Sequence, residues 1–157
     1  MVDAVDYYEE YYGHPVGQLA AVHSSLRSQG KESMIFLVGD SSLDNKYWFK
    51  EEAVALNGYE RVLKPPKMRC DVSYHVNRAL AERNVRGMAC LNAAVEATTL
   101  NDRSQGFLLS QDRFVRDNIT ENDILVVSVG GNDVSRFFFL ESYLPHRLPW
   151  RRRCAPA

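Results

Sequence analysis

Three short apolar runs, separated by stretches with helical periodicity, constrain the fold of this chain more than any other feature. They cover 33–38, 88–93 and 124–129, and Ile124-Leu-Val-Val-Ser-Val129 is the clearest of them. Short apolar runs of this kind are typical of strands covered on both faces of a parallel sheet. Parallel neighbours need a crossover connection, which is usually a helix. The sequence therefore predicts an α/β domain with a parallel sheet of buried strands.

The segments between these runs are predicted to be helical. Pro15 suits a helix start and Gly30 a helix end, and Asp71 or Ser73 is a possible cap for a later helix. The strand at 33–38 is predicted to turn sharply into a helix at Gly39-Asp-Ser-Ser42. The apolar spacing predicts helices from Pro15 to Gly30, from about Val72 to Arg83 and from about Leu108 to Ile119. Good helix formers followed by the stop signal Asn57-Gly58 predict a helix from Leu43 to about Leu56.

Composition excludes several classes of protein. The 157 residues include 45% hydrophobic and 25% charged residues, a balance that predicts a single globular domain. The net charge is −1 and the only basic cluster is Arg151 to Arg153, which is typical of a solvated tail, so no nucleic-acid partner is expected. No apolar run is long enough to span a bilayer, and the N-terminal residues lack the features of a secretory signal. We therefore expect a cytoplasmic protein without a membrane partner.

The three cysteines show neither zinc-site spacing nor a disulfide framework. Cys70, Cys90 and Cys154 are widely spaced and odd in number, so reduced thiols are expected. The sequence also lacks the P-loop pattern and the dinucleotide glycine fingerprint. No metal and no organic cofactor are expected.

Polar motifs follow the ends of all three predicted strands, where ligands gather in open parallel sheets. Gly39-Asp-Ser follows the first strand, 92–99 the second, and Gly130-Gly-Asn-Asp133 the third. Ser41 would lie where helix amides stabilise developing negative charge, and Asn132 would donate a side-chain amide beside the same edge. Taken singly, the first motif also suits a capped helix start and the third a glycine-rich turn.

The two motifs in this order resemble those of the SGNH (GDSL-like) serine hydrolase family, over about residues 33–134. The resemblance implies that Ser41 is the nucleophile and Asn132 an oxyanion donor. It also implies a flavodoxin-like, three-layer α/β/α fold, here incomplete at its C-terminal end. Asn92-Ala-Ala-Val-Glu-Ala-Thr-Thr99 fits the second block of the family, with Ala97 at the place of a glycine whose backbone amide also donates to the oxyanion. Glu96 beside it is either a solvated carboxylate or an organiser of the loop.

The last block of the family, an aspartate three residues before the catalytic histidine, does not occur in the sequence. His14 lies at a predicted helix start, and His23 and His75 lie on predicted helices. Each of the three is therefore expected to have a structural role. His146 is the only histidine after the Gly130-Gly-Asn-Asp133 motif, but it lies between prolines with Glu141 five residues before it. His146 is thus a weak candidate for the general base, and residues 135–157 are unlike the further βα units of such domains.

The resemblance implies acyl transfer from a small-molecule ester through Ser41, impaired because no histidine and aspartate complete the site. Two alternatives stay open. One is a noncatalytic module that binds a carboxylate, an ester or a protein. The other is a fragment completed by another chain through self-association, with Phe137 to Phe139 as a possible exposed apolar surface.

Overall fold

The structure is a computed structural model that describes residues 1–104, 106 and 108–134. Within these residues the structure has four complete α-helices and seven strands, with short 3₁₀ helices at Tyr59–Arg61 and Asn101–Arg103, and a further helical segment covers 131–134. In chain order the elements are β1 (Val2–Asp3), α1 (Ala4–Glu9), α2 (Val16–Ser28), β2 (Ser33–Gly39), β3 (Glu52–Val54), β4 (Leu63–Lys64), β5 (Lys67–Arg69), α3 (Val72–Glu82), β6 (Met88–Asn92), α4 (Ser110–Asn118) and β7 (Ile124–Ser128).

The main sheet has three parallel strands in the order β6-β2-β7. β2 is central, with Leu37 opposite Asn92 on one side and Gly39 opposite Ser128 on the other. Two smaller ribbons, β1 with β4 and β3 with β5, complete the strand pairing that the structure describes, and only the second is antiparallel. The prediction of an α/β chain with a mostly parallel sheet is confirmed, together with the positions of its three strands.

Helix α2 is built as its apolar spacing predicts. Leu19, Val22 and Leu26 are fully buried, and the helix begins directly after Pro15. Its Arg27 forms a bidentate ion pair with Asp123, at 2.6 and 2.8 Å, and Asp123 also accepts a hydrogen bond from the backbone of Met34. This contact ties α2 to the amino ends of β2 and β7, the end of the sheet opposite the polar motifs.

Helix α3 docks onto β6 through one buried amide. Asp71 caps the helix by accepting from the backbone of Tyr74, which decides between the two predicted caps. The Asn77 side chain then accepts a hydrogen bond from the backbone N–H of Cys90 and donates one to the carbonyl of the same residue.

Helices α2 and α4 meet around His23 of α2. The centroid of the His23 ring lies 5.8 Å from the ring centroids of both Phe36, on β2, and Phe114, on α4.

The N-terminal helix α1 was not predicted. Asp3 caps it by accepting from the backbone of Val5 and Asp6, and Tyr7 and Tyr8 of this helix are buried in the core. The tyrosine-rich start of the chain is therefore part of the core.

The predicted helix from Leu43 to about Leu56 is wrong. The chain forms turns after Ser41 and then strand β3. Asp44 and Lys46 are fully buried side chains with tertiary partners, and Asn45 accepts from the backbone of Val72. These non-local contacts outweigh helix propensity, which is a weak preference of less than about 1 kcal/mol per residue. Asn57 and Gly58 do adopt positive φ, at 56° and 103°, but they end an irregular segment instead of a helix.

The predicted burial of the third strand is also wrong. The strand itself is present as β7, yet Ile124, Leu125, Val126 and Val127 are 46%, 48%, 37% and 57% exposed. Among the strands that the structure describes, β7 lies at an edge of the sheet, whereas the apolar run predicted a strand covered on both faces.

In the described part of the chain no helix has the length and apolar character needed to cross a bilayer. Cys70 and Cys90 are free thiols, and burial raises the pKa of the Cys90 thiol. Cys154 lies outside the described residues, as do Arg151 to Arg153 and Phe137 to Phe139.

Candidate functional site

Ser41 lies just beyond the carboxyl end of the central strand and is half-buried. Gly39 precedes it at φ +150°, and a Cβ atom there would lie 1.8 Å from the carbonyl oxygen of Ser128. Asp40 continues the strand pairing by donating its N–H to the same carbonyl at 3.0 Å. Glycine is needed because the ends of β2 and β7 approach each other closely at this point.

Asp40 holds the Ser41 turn through its side chain. Its Oδ1 accepts from the backbone N–H of Ser42 at 2.9 Å. Its Oδ2 is buried without a hydrogen-bond partner and lies 3.7 Å from the Cβ position of Gly131. Ser42 Oγ donates to Ser128 Oγ at 2.7 Å. The Ser41 turn therefore faces the start of the Gly130-Gly-Asn-Asp133 motif, in which a helical segment begins at Gly131.

No helix begins at Ser41, so the predicted contribution of a helix dipole to this serine is wrong. The turn is closed by hydrogen bonds from the backbone N–H groups of Leu43 and Asp44 to the carbonyl of Asp40. Backbone amides around Ser41 thus come from a turn instead of a helix N-terminus.

Ala97 lies in a turn that follows β6 on the other side of the central strand. Val95 donates its N–H to the carbonyl of Gly39 at 2.9 Å, so the chain after β6 runs along β2 up to the Ser41 turn. Ala97 itself has φ +61°, in the left-handed region that favours glycine. The backbone at this position therefore has the conformation expected where the family resemblance implies a glycine.

Asn132 is joined to the same loop from the third strand. Its side-chain amide donates to the carbonyl of Thr98 at 2.9 Å. The neighbouring Asp133 accepts from the backbone N–H of Leu100, at 2.9 and 3.2 Å. Since β2 and β7 are parallel neighbours, Ser41 and Asn132 both follow strand ends at one edge of one sheet. The prediction that the three motifs meet at this edge is confirmed.

Arg103 forms hydrogen bonds to two of these segments, and no pattern in the sequence predicted this role. Its guanidinium donates to the carbonyl of Gly39 and to Thr98 Oγ1, both at 2.8 Å. It also forms an ion pair with Asp112 at 2.9 Å, in which the side chains are only 11% and 6% exposed. Asp112 is on α4, so the ion pair connects the site to that helix.

A buried charged cluster, Asp44-Lys46-Glu96, joins the loop after β2 to the loop after β6. All three side chains are fully buried. Lys46 Nζ donates to Asp44 at 2.8 Å and lies 3.8 Å from Glu96 Oε2, and the backbone N–H of Glu96 donates to Asp44 at 3.0 Å. The Glu96 carboxylate is buried, so the solvated alternative is wrong, and its nearest counter-charge is Lys46 Nζ at 3.8 Å.

Burial shifts the protonation equilibria of this cluster. Burial, and then the neighbouring Asp44 carboxylate, raise the pKa of Glu96 to about 7. Burial likewise raises the pKa of Asp44, against the opposing effect of Lys46. Both carboxyls lie beside the site. Asp44 directly follows Leu43, whose carbonyl accepts a hydrogen bond from the Asn92 side chain, and Glu96 directly precedes Ala97.

The described histidines have contacts of their own. His14 is buried, donates to the carbonyl of Tyr7 at 2.6 Å and stacks on the Tyr7 ring, and burial holds its pKa well below its usual range. His23 lies near Asp123 at the opposite end of the sheet, and His75 is exposed on α3. Within 1–104, 106 and 108–134, no hydrogen bond joins a histidine to Ser41. His146 and Glu141 lie outside the described residues.

Among the described residues no group of histidine, cysteine, aspartate or glutamate side chains is arranged to hold a metal ion. The sheet edge brings together a serine, the side-chain amide of Asn132, which donates to Thr98, and the loop that contains Ala97. No protein-family model, no curated protein sequence and no solved structure matches the chain with statistical significance.

Proposed function

We propose that the chain is an SGNH-type serine ester hydrolase whose site is impaired for lack of a paired histidine and aspartate. One observation carries the proposal: the segments that hold Ser41, Ala97 and Asn132 meet at the carboxyl edge of one parallel sheet. The positive φ of Ala97 supports it independently, because this backbone region favours glycine and the family motif has a glycine at that place.

We propose further that the fold is an incomplete flavodoxin-like α/β/α arrangement. The three parallel strands lie in the order β6-β2-β7, so the first strand of the sheet along the chain is central and the next two flank it. This is the strand order with which flavodoxin-like sheets begin. Further strands beyond β7 would extend such a sheet.

The proposed reaction is acyl transfer. Ser41 Oγ attacks the carbonyl carbon of an ester as a base takes its proton, and the carbonyl oxygen becomes an oxyanion. Asn132 and the backbone N–H groups of Ser41 and Ala97 stabilise that oxyanion. The alcohol leaves with a proton, and water then releases the acid from Ser41. No metal and no organic cofactor takes part, and His146 is the candidate base.

A noncatalytic binding module is the second candidate. The specific observation in its favour is that no described histidine is hydrogen-bonded to Ser41. General-base assistance contributes ~100- to 10,000-fold to such reactions. A site with only a serine and oxyanion donors would bind an ester or carboxylate at the same edge with little turnover.

Ester turnover tests the proposal. Hydrolysis of p-nitrophenyl acetate and labelling by a fluorophosphonate probe should be slow in the wild type and lost in Ser41→Ala. Ser42→Ala is the matched control, because Ser42 is the exposed neighbouring serine, and it should retain both signals.

His146→Ala separates the remaining possibilities. Robust turnover that is lost in both Ser41→Ala and His146→Ala would show a working base and would overturn the impaired-site proposal. Turnover lost only in Ser41→Ala would indicate another base. Equal low rates in the wild type and all variants would favour the noncatalytic module.

A further inference from the structure

An aromatic cluster at the surface is formed by Tyr11, Tyr12, Tyr47 and Trp48, which come from two segments of the chain. Tyr11 contacts each of the other three rings edge to face, at centroid distances of 4.8 to 6.4 Å. Trp48 and Tyr12 are 63% and 62% exposed, and Tyr47 is 37% exposed. The cluster therefore presents aromatic rings to a ligand, and the face of such a ring attracts cations.

An ammonium group of the chain itself lies at this cluster. Lys50 Nζ is 5.8 Å from the centroid of the Tyr47 ring, within the range of a cation–π interaction. The Lys50 side chain is exposed, so it can leave the ring at small cost. A ligand with an ammonium group can then take its place.

A buried carboxylate, Glu96, lies near two rings of the cluster. Glu96 is fully buried, and in the described part of the chain neither of its carboxylate oxygens has a hydrogen-bond partner. Burial and the Asp44 carboxylate raise the pKa of Glu96, and the indole N–H of Trp48, which lies near the carboxylate, opposes the rise. Burial, and then the Glu96 carboxylate, raise the pKa of Tyr11. The negative charge of Glu96 therefore acts on both rings.

The counter-charge of Glu96 is shared with another buried acid. Lys46 Nζ donates to Asp44 at 2.8 Å and lies 3.8 Å from Glu96 Oε2. Among the described residues, Lys46 is the only cation within ion-pair distance of either carboxylate. One negative charge is left without a partner when both acids are ionised, and a cationic ligand on the neighbouring rings would supply that partner.

Exposed carboxylates add to the negative charge on the other side of the cluster. A pocket with a volume of about 540 Å³ has Tyr11 and Tyr12 in its lining, together with Asp6, Glu9 and Glu10. None of these three acids forms an ion pair with a described residue. The charge around the aromatic cluster is thus complementary to a cation and unfavourable for an anion.

Glu96 also joins the aromatic cluster to the proposed oxyanion donors. Because Glu96 directly precedes Ala97, standard bond lengths keep its carboxyl carbon within about 6 Å of the Ala97 nitrogen. The backbone N–H of Glu96 donates to Asp44, and the backbone N–H of Asp44 donates to the carbonyl of Asp40. The same loops therefore carry the cluster, the Ser41 turn and Ala97.

We propose that the aromatic cluster binds the alkylammonium group of the ester that reacts at Ser41. This substrate class rests on the proposed function, whereas the cation site itself rests on the contacts of the cluster. The ammonium group replaces Lys50 at the rings of Tyr47 and Trp48, and its charge offsets that of Glu96. The acyl group passes to Ser41 Oγ, and the alcohol that carries the ammonium group leaves with the proton taken from Ser41.

Binding of choline to the full chain tests the cation site without any need for turnover. The NMR signal of the Trp48 indole N–H should shift with choline, and 3,3-dimethylbutanol, its uncharged isostere, should bind roughly tenfold more weakly. Trp48→Ala should abolish choline binding. Phe49→Ala is the matched control and should retain it, because Phe49 is a 50% exposed neighbour that has no ring contact with the cluster in the described structure.

Glu96→Gln tests the charge, since it removes the carboxylate and keeps the size of the side chain. In the wild type, choline affinity should rise several-fold from about pH 6 to pH 8.5, because Glu96 has a pKa of about 7 and ionises in this range. The variant should lack this rise. Asp44, Lys46 and Tyr11 are the other titratable groups near Glu96, and burial also raises the pKa of Asp71, beyond Asp44, to about 7. Asp71→Asn is therefore the control and should keep the rise.

Turnover tests the connection to Ser41. Acetylthiocholine should be cleaved faster than 3,3-dimethylbutyl thioacetate, its uncharged isostere, and Trp48→Ala should bring the ratio of the two rates close to one. Choline binding without any Ser41-dependent turnover would uphold the cation site and overturn the proposed function. Equal binding of choline and 3,3-dimethylbutanol, equal turnover of the two esters, or choline binding that survives Trp48→Ala would overturn this inference.

Discussion

At the scale of single residues, Ala97 is the most unusual position of the site. Three described residues other than glycine have positive φ, and the other two, Asn57 and Asn84, are of a type that tolerates this conformation. For an alanine the left-handed region costs ~1–2 kcal/mol. The strained residue is itself one of the proposed oxyanion donors, through its backbone amide.

Ala97→Gly should therefore leave the free energy of unfolding unchanged or raise it slightly. Glycine has greater freedom in the unfolded chain, which lowers the free energy of unfolding by about 0.4–1 kcal/mol. Relief of the backbone strain at this position offsets that loss. Ala79→Gly, in the middle of α3, is the control and should lower stability by about 1 kcal/mol. Equal losses in the two variants, measured by urea unfolding, would contradict the strained conformation.

Glu96 predicts a pH dependence of stability. Burial raises its pKa from an ordinary value of 4.5 to about 7, so the folded protein binds more protons than the unfolded chain between these values. Stability should therefore fall as the pH rises through this window. Glu96→Gln should flatten the fall in a series of urea titrations from pH 4.5 to pH 7. A slope identical to that of the wild type would rule out Glu96 as its source.

At the scale of elements, the site depends on loops joined by buried polar contacts. Arg103 connects the end of β2 to the loop after β6 and to α4, and Lys46 connects the same two loops from the other side. The loop after β2 is irregular because its charged residues are committed to these contacts. The loops, and with them Ser41 and Ala97, are held in place by non-local partners.

Lys46→Met should lower the free energy of unfolding by about 3 kcal/mol or more, because it leaves Asp44 and Glu96 buried without their counter-charge. Lys67→Met is the control, since Lys67 pairs with Glu52 at 2.9 Å on the surface, where both side chains are about half exposed. That pair should contribute no more than about 1 kcal/mol. Similar losses in the two variants would contradict a structural role for the buried cluster.

At the scale of the whole molecule, the described chain is a short parallel sheet with one covered edge and one open edge. The site lies at the carboxyl ends of the strands, and the edge strand of the described sheet is β7. The helical segment that carries Asn132 follows β7 after Val129 and Gly130, so the position of Asn132 depends on that strand.

The sequence by itself determined the elements whose signals are local. Apolar periodicity predicted α2, α3, α4 and the three strands of the sheet, because the side chains that a helix or strand buries recur at a regular spacing in the sequence. The polar turns after those strands predicted that Ser41, Ala97 and Asn132 would meet, because parallel strands place their carboxyl ends at one edge.

The tertiary structure alone decided the features that depend on partners distant in sequence. Asp44 and Lys46 have a helix-compatible pattern, but their buried contacts with Glu96 make the segment irregular. Arg103 was invisible because its partners come from three separate segments. The apolar run of β7 could not predict the exposure of its side chains, because a strand can have this composition at an edge or in the middle of a sheet. The order of the described strands is what places β7 at the edge.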